Sequence, residues 1–247
     1  MVRLSVNVNK VATLRNSRGG RLPSVLEAVR TCLDAGVPGI TVHPRADERH
    51  ITSTDVREVA ALLAEHRRAT GADVEYNIEG DPKPAFLELV HEVRPDQVTL
   101  VPVREGEVTS QAGWPTDTRI EPTVNALRDA GMRVSLFVDP APEPIQWAAD
   151  MGGDRVELFT EPYARAHEEG ATEGERSYAL YAAMAKRAHA LGLGVNAGHD
   201  LDLENLVRFR SLPHLDEVSI GHALMSRALF VGLESVVREY LAILAVS

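Results

Sequence analysis

Histidines and arginines cluster directly after a short apolar stretch near the start of the chain. Ile40, Thr41 and Val42 are β-branched residues typical of a buried strand, and His43 and Arg45 follow at once. Imidazoles exchange protons near neutral pH, and guanidinium groups bind phosphate or carboxylate oxygens. The segment therefore predicts a strand that leads into a loop with acid–base and anion-binding groups.

Other apolar stretches of the chain also end in polar residues. The residues at or near these ends are Asn7 and Asn9, His43, Glu75 and Asn77, Ser135 and Asp139, Glu157, Asn196 and His199, and Gly221 and His222. A single polar residue in such a place often only caps a helix or satisfies a backbone group. Two histidines and a glutamate from three separate strands, converging with arginines, instead favour an active site.

Predicted strands and helices alternate along the whole chain. They determine where the polar residues at the strand ends lie. The first strand is predicted at residues 4–9 and the third at 73–78, with loops at 10–22, 102–117 and 160–171 and a last helix at 223–246. A length of 247 residues matches the roughly 250 typical of an eight-stranded β/α barrel. No glycine-rich dinucleotide fingerprint follows a strand. We therefore predict a single-domain (β/α)8 TIM barrel over residues 1–247, with its active site at the C-terminal ends of the strands.

Composition excludes several classes of protein. Hydrophobic residues make up 44% and charged residues 25% of the chain, which is typical of a folded domain and not of disorder. The net charge of −10 opposes non-specific binding to nucleic acid or to an anionic membrane. The single cysteine, Cys32, lies in an apolar helical stretch and is expected to be a buried thiol. Because no signal peptide or membrane span is recognisable, we expect a cytoplasmic protein.

Two groups of residues are candidates for anion binding. The pairs Gly198-His199 and Gly221-His222 end strands seven and eight, where barrels often bind phosphate through backbone amides and a helix N-terminus. Arg18, Arg45 and His50 form a second positive cluster, so that two phosphates on one or two substrates are expected. Lys10 is the only lysine near a strand end, and a counter-charge to phosphate is favoured over a Schiff base.

Five segments of the chain resemble the pyridoxine 5'-phosphate synthases. They are residues 6–19, 39–45, 49–52, 195–199 and 220–223, which occur in the right order and at the right strand ends. The resemblance implies a barrel enzyme of vitamin B6 biosynthesis. It would condense 3-amino-2-oxopropyl phosphate with 1-deoxy-D-xylulose 5-phosphate and release pyridoxine 5'-phosphate, phosphate and water. It implies no metal, no organic cofactor and a homo-octamer.

The resemblance also implies roles for individual residues. His43 and Glu75 would accept protons, and His199 would donate one. The residues expected to hold the aminoketone phosphate are Asn7, Arg18, Asp200, Gly221 and His222. The residues expected to hold the deoxyxylulose phosphate are Arg45, His50 and Thr109, with Asn9 and Lys10 as further contacts.

Three positions depart from the usual pattern of this family. The family has Asp-His where this chain has Asn9-Lys10, and Gly where it has Asp200. The loss of a carboxylate at Asn9 affects how the ketose hydroxyls are held. Asp200 adds negative charge beside a predicted phosphate site, where its backbone amide alone can contribute.

Two other functions remain open from the sequence. A metal-dependent barrel hydrolase or isomerase could use His43, His50, Glu75 and His199 as ligands, although no His-x-His pair ends the first strand. A non-catalytic barrel that binds phosphorylated ligands could have kept the fold while Asn9, Lys10 and Asp200 changed. The presence of His43, Glu75 and His199 together favours an enzyme.

Overall fold

Eight parallel strands form a closed barrel in a computed structural model that describes residues 1–104 and 110–246. Each strand pairs with the next one along the chain, and the last pairs with the first. The strands are β1 Arg3–Asn7, β2 Gly39–Val42, β3 Glu75–Gly80, β4 Gln97–Leu100, β5 Arg133–Val138, β6 Arg155–Phe159, β7 Gly194–Gly198 and β8 Leu215–Ile220. The prediction of a single-domain (β/α)8 TIM barrel is confirmed.

Helices follow the strands and surround the barrel. Those in the described residues are α1 Asn9–Asn16, α2 Val25–Asp34, α3 Ser53–Thr70, α4 Pro84–Val93, α5 Glu121–Asp129, α6 Pro142–Asp150, α7 Glu161–Glu169, α8 Ala171–Ala190, α9 Leu206–Phe209, α10 His222–Val231 and α11 Leu233–Ala245. None of them is long and apolar enough to cross a membrane.

Some predicted boundaries were wrong. Helices α1 and α7 lie in segments predicted as loops, and α1 buries only Ala12, so that it lacks the apolar periodicity by which helices are recognised. The predicted last helix is interrupted at Gly232, whose φ of +88° ends α10 before α11 begins. Strand β3 begins and ends two residues later than predicted, and this shift changes the active-site assignment.

The side chains that point into the barrel are largely polar. Alternate residues of a strand point to opposite faces, and a chain of hydrogen bonds joins Ser5 Oγ to Thr41 Oγ1 (2.6 Å), Thr41 Oγ1 to Asn77 Nδ2 (3.3 Å) and Asn77 Oδ1 to Thr99 Oγ1 (3.0 Å). Bulky branched residues dominate most TIM-barrel interiors. Here the large hydrophobic core includes the alternate strand residues, such as Leu4, and the apolar faces of the helices.

Charged residues fill the amino-terminal end of the barrel. Arg133 Nη2 lies 2.5 Å from Glu75 Oε1, and its Nε donates to Gln97 Oε1 at 2.8 Å. Burial, and next the Glu75 carboxylate, raises the pKa of Glu217 to about 8. A carboxyl group with a raised pKa binds its proton more tightly in the folded than in the unfolded protein. Its contribution to stability is therefore complete below pH about 4.5 and is lost as the pH rises towards about 8.

Candidate active site

A cavity of about 340 Å³ lies at the carboxyl ends of the barrel strands, which is within the size range of small-molecule sites. Its wall combines residues of β1, β3, β6 and β8 with residues of the segments that follow β1, β2, β4, β7 and β8. The predicted site residues that line it are Asn7, Asn9, Lys10, His43, Arg45, His50, His199, Asp200, Gly221 and His222. Both predicted catalytic histidines are thus on the wall of one cavity.

Among the described residues, two predicted site residues are not on this wall. Glu75 is the first residue of β3, and its carboxylate pairs with Arg133 at the other end of the barrel, so its assignment as a proton acceptor was wrong. Arg18 lies in the exposed turn after α1 and does not line the cavity. Thr109 lies outside the described residues. The glutamate of β3 that does reach the cavity is Glu79.

The physical reason for the correction is strand geometry. Glu75, Asn77 and Glu79 alternate along β3 and face the same side, but the Cα atoms of the two glutamates are about 13 Å apart along the strand. Because all three residues are polar, no change in hydrophobicity marks the end of the strand in the sequence. The alternating spacing itself was the signal that could have found Glu79.

Glu79 and His43 form an acid–base pair. Glu79 Oε2 lies 3.5 Å from His43 Nδ1 and accepts a hydrogen bond from Asn7 Nδ2 at 3.4 Å. The backbone amide of His43 donates to Asn9 Oδ1 at 2.9 Å, which anchors the histidine to the segment after β1. Among the described residues, His43 Nε2 is buried without a hydrogen-bond partner. This nitrogen is therefore available to a ligand.

Burial sets the protonation states of this pair. It lowers the pKa of His43 to about 3, with a further contribution from the Arg45 charge. It raises the pKa of Glu79 to about 8, partly opposed by a hydrogen bond from Ser219. At neutral pH the imidazole is therefore neutral and the carboxyl group is protonated. A proton acceptor, His43, and a proton donor, Glu79, are therefore adjacent.

A second carboxyl group lies in the cavity. Glu157, which the sequence placed at a strand end without assigning it a role, is buried, and its pKa is raised by burial and by the neighbouring Glu79. A Cβ on Gly198 would lie 2.9 Å from Glu157 Oε1, so a glycine there allows β7 to pass close to this carboxyl group. Two buried carboxyl groups that repel each other electrostatically favour holding at least one proton between them.

His199 follows β7 and lies between aromatic rings. Its ring centroid is 5.1 Å from that of Phe137 and 5.6 Å from that of Phe159. Burial lowers its pKa, while the Asp200 carboxylate acts in the opposite direction. Its Nδ1 has no hydrogen-bond partner in the part of the chain that the structure describes. At neutral pH the cavity thus contains a second neutral imidazole.

His50 and Arg45 occupy the wall near His43. The Ile51 amide donates to His50 Nδ1 at 2.9 Å, so the neutral ring carries its hydrogen on Nε2. Burial, and next the electrostatic effects of His43 and Arg45, lowers the pKa of His50 to about 4. His50 can therefore donate a hydrogen bond while Arg45, which is buried, supplies positive charge. This combination suits an anionic ligand.

The start of α10 forms another potential anion site. Gly221 precedes the helix and lines the cavity, and a Cβ at this position would lie 3.1 Å from Asn7 Cβ. The first-turn amides of a ten-residue helix point towards the cavity end, where they favour negative charge. His222 adds a side chain at the same place.

Metal ligation has little support from the arrangement. In residues 1–104 and 110–246, no three His, Cys, Asp or Glu side chains are grouped so that they could hold a metal ion. Of the four ligands considered above, Glu75 lies at the opposite end of the barrel.

Comparisons with known proteins identify relatives over nearly the whole chain. The family model described as pyridoxal phosphate biosynthesis protein PdxJ matches residues 4–246. A pyridoxine 5'-phosphate synthase of Christiangramia forsetii is 48% identical over 248 residues, covering 99% of this chain and 100% of that protein. One of Xanthomonas campestris pv. campestris is 51% identical over 253 residues, covering 98% of this chain and 96% of that protein.

Solved structures with lower identity share the barrel. A thiamine phosphate pyrophosphorylase from Pyrococcus furiosus has 17% identity and a TM-score of 0.63, covering 98% of this chain and 95% of that one. A phosphoribosyl anthranilate isomerase from Thermus thermophilus has 18% identity and a TM-score of 0.58, covering 99% of this chain and 98% of that one. At these identities the likeness concerns the fold alone.

Proposed function

The chain belongs to the pyridoxal phosphate biosynthesis protein PdxJ family, and we propose that it is a pyridoxine 5'-phosphate synthase. Its substrates are then 3-amino-2-oxopropyl phosphate and 1-deoxy-D-xylulose 5-phosphate, and its products are pyridoxine 5'-phosphate, phosphate and water. The mechanism rests on the pair of Glu79 and His43, which lie 3.5 Å apart on the cavity wall. At neutral pH Glu79 holds a proton, because its pKa is raised, and His43 is neutral, because its pKa is lowered.

The condensation needs repeated proton transfers between nitrogen, oxygen and carbon. When the amine adds to the ketone, the nitrogen must lose a proton and the departing hydroxyl group must gain one. The protonated Glu79 carboxyl can supply the second proton, and His43 Nε2 can accept the first. Once Glu79 has become a carboxylate beside Nδ1, it stabilises the imidazolium of His43. The two transfers therefore assist each other.

His199 is proposed as the donor in later steps. Its pKa is lowered, chiefly by burial. A bound phosphate brings negative charge close to the ring and favours its protonated form. Substrate binding thus prepares His199 to deliver a proton when phosphate or water leaves. Glu157 is proposed to hold a further proton beside Glu79.

Two anion sites are proposed for the two substrates. The start of α10, with Gly221, His222 and Asn7, would hold the aminoketone phosphate. Arg45, His50 and Lys10 would hold the deoxyxylulose phosphate, with Asn9 nearby. This division is supported by the cavity lining and by the hydrogen on His50 Nε2. Asp200, Arg18 and Thr109 stay predictions as phosphate contacts, as do the homo-octamer, the cytoplasmic location and the absence of a metal or cofactor.

The decisive experiment supplies the purified protein with both phosphorylated substrates and measures pyridoxine 5'-phosphate by mass spectrometry. We expect product only when both substrates are present. Activity that survives prolonged chelation, with no metal found by elemental analysis, is also expected. Activity that disappears on chelation and returns with one added metal would support the metal-dependent alternative. Tight binding of both substrates without product would support the non-catalytic barrel.

A further inference from the structure

We propose that Thr160 is a positioning residue that holds the backbone of His199, and with it the imidazole, in the working orientation. The inference rests on the proposed function, in which His199 is a proton donor. It concerns the turn of residues 198–200, which follows β7 and carries His199 into the cavity. Thr160 comes from the neighbouring strand, directly after β6, and is fully buried.

The turn has an unfavourable backbone conformation. His199 has a φ of +80° and Asp200 a φ of +54°, so two successive residues with a Cβ lie in the left-handed region. Such residues adopt this region rarely, and they stay there only where surrounding contacts impose it. Contacts from other residues must therefore stabilise the turn in this conformation.

Side-chain donors hold three successive carbonyl groups of this turn. The Thr160 hydroxyl shares its hydrogen between the Gly198 carbonyl oxygen, at 2.6 Å, and the His199 carbonyl oxygen. The Thr160 backbone amide also donates to the Gly198 carbonyl, at 3.3 Å. On the other side, Asn205 Nδ2 donates to the Asp200 carbonyl at 3.0 Å. The carbonyl oxygen of His199 itself thus accepts a hydrogen bond from Thr160.

The Thr160 hydroxyl serves this turn and not its own helix. Thr160 is the residue that precedes α7, where threonine side chains commonly accept a hydrogen bond from a first-turn amide. Its side chain makes no such bond. Removal of the hydroxyl therefore leaves the start of α7 unchanged and affects the turn at residues 198–200.

The imidazole depends on this backbone for its direction. The ring packs against Phe137 and Phe159, and its Nδ1 has no hydrogen-bond partner among the described residues. If the turn relaxes to a negative φ, the Cα–Cβ bond of His199 changes direction and the ring leaves its place. A displacement of about 1 Å in a reacting group can lower a rate about 100-fold.

The test compares three substitutions. Thr160→Val keeps the shape and removes the hydroxyl, and Thr160→Ser keeps the hydroxyl. Thr31→Val is the matched control, because Thr31 Oγ1 also donates to a backbone carbonyl, but to that of Glu27 within α2 and not to the turn of residues 198–200. We expect Thr160→Val to lower kcat about 10- to 100-fold with little change in KM. Thr160→Ser and Thr31→Val should stay close to wild type.

Two further measurements do not depend on turnover. In protein labelled with ¹⁵N-histidine, the His199 imidazole signals, identified by their loss in His199→Gly, should shift in Thr160→Val and not in Thr31→Val. Glycine adopts positive φ freely, so Thr160→Val should lower Tm less in a His199→Gly background than in wild type. If Thr160→Val alone does not fold, the double variant is expected to fold.

The outcomes separate this inference from the proposed function. If wild type makes no product, the proposed function fails while the imidazole signals and the Tm comparison still test Thr160. Unchanged His199 signals, or equal losses of Tm in both backgrounds, would overturn the inference even in an active enzyme. A double variant that also fails to fold would overturn it as well.

Discussion

Replacing Glu79 with glutamine should separate catalysis from stability. Glutamine has nearly the same shape, but it can neither give up nor take up a proton at neutral pH. Because general acid–base groups contribute about 10²- to 10⁴-fold, kcat should fall by that factor, which corresponds to about 3 to 5 kcal/mol. The barrel should remain folded.

The stability of the same variant should increase. In the folded protein the pKa of Glu79 is about 8, against 4.5 for an unperturbed glutamate. Folding therefore holds the proton more tightly than the unfolded chain does, and stability is lost as the pH rises from about 4.5 to about 8. At pH 7 the free energy of unfolding is lower by up to about 3 kcal/mol for this reason. Glutamine does not titrate, so the variant does not lose this stability. Lower activity with a higher Tm at pH 7 is the expected signature.

The matched control is Glu75→Gln, which changes the glutamate four residues earlier on the same strand. Its carboxylate pairs with Arg133 away from the cavity, so kcat should stay near wild type. Stability should fall by about 1 to 3 kcal/mol, because the Arg133 guanidinium loses the carboxylate that forms an ion pair with it.

The assay is the initial rate of pyridoxine 5'-phosphate formation as a function of pH, together with thermal unfolding of each variant. In wild type kcat/KM should fall above pH about 8, as Glu79 loses its proton in the free enzyme. If folded Glu75→Gln loses as much activity as Glu79→Gln, or if Glu79→Gln keeps wild-type activity, the proposed location of the chemistry is wrong.

Other substitutions test the remaining parts of the site and the barrel. His199→Ala should abolish turnover with an unchanged far-UV circular dichroism spectrum, and substantial remaining activity would refute its assignment as proton donor. Lys10→Met should raise KM for 1-deoxy-D-xylulose 5-phosphate about tenfold with little change in kcat, because one charge-assisted contact is lost; an unchanged KM would exclude Lys10 from that phosphate site. Glu217→Gln should raise Tm at pH 8 but hardly at pH 5, since the folded pKa is about 8; equal effects at both pH values would contradict the raised pKa.

Local patterns in the sequence were sufficient for the architecture. Alternating strands and helices over 247 residues predict the closed barrel, because each unit of strand and helix must bury one face against its neighbours. Residues that end an apolar strand, such as His43 and His199, were placed on the cavity side because the carboxyl ends of parallel strands meet at one end of the barrel.

Where the barrel interior is polar, the sequence was a poorer guide. The end of β3 cannot be located from hydrophobicity, since Glu75, Asn77 and Glu79 all face the lumen, and so the sequence points to Glu75, which lies at the opposite end of the barrel from the cavity. The sequence does not reveal α1, whose apolar periodicity is weak, or α7, which buries only Tyr163 and Ala164, and contacts with the rest of the fold stabilise both helices.

The chemical properties of the site belong to the tertiary structure. The sequence determined which ionisable residues are available and that they follow strands of one barrel. Only the folded chain decides that Glu79 is buried beside His43 and Glu157, and that Thr160 reaches the backbone of His199. Proton affinity depends on the water removed and the charges brought near a group. The removal of water and the nearby charges are both determined by residues far apart in the chain, so no local sequence pattern can predict them.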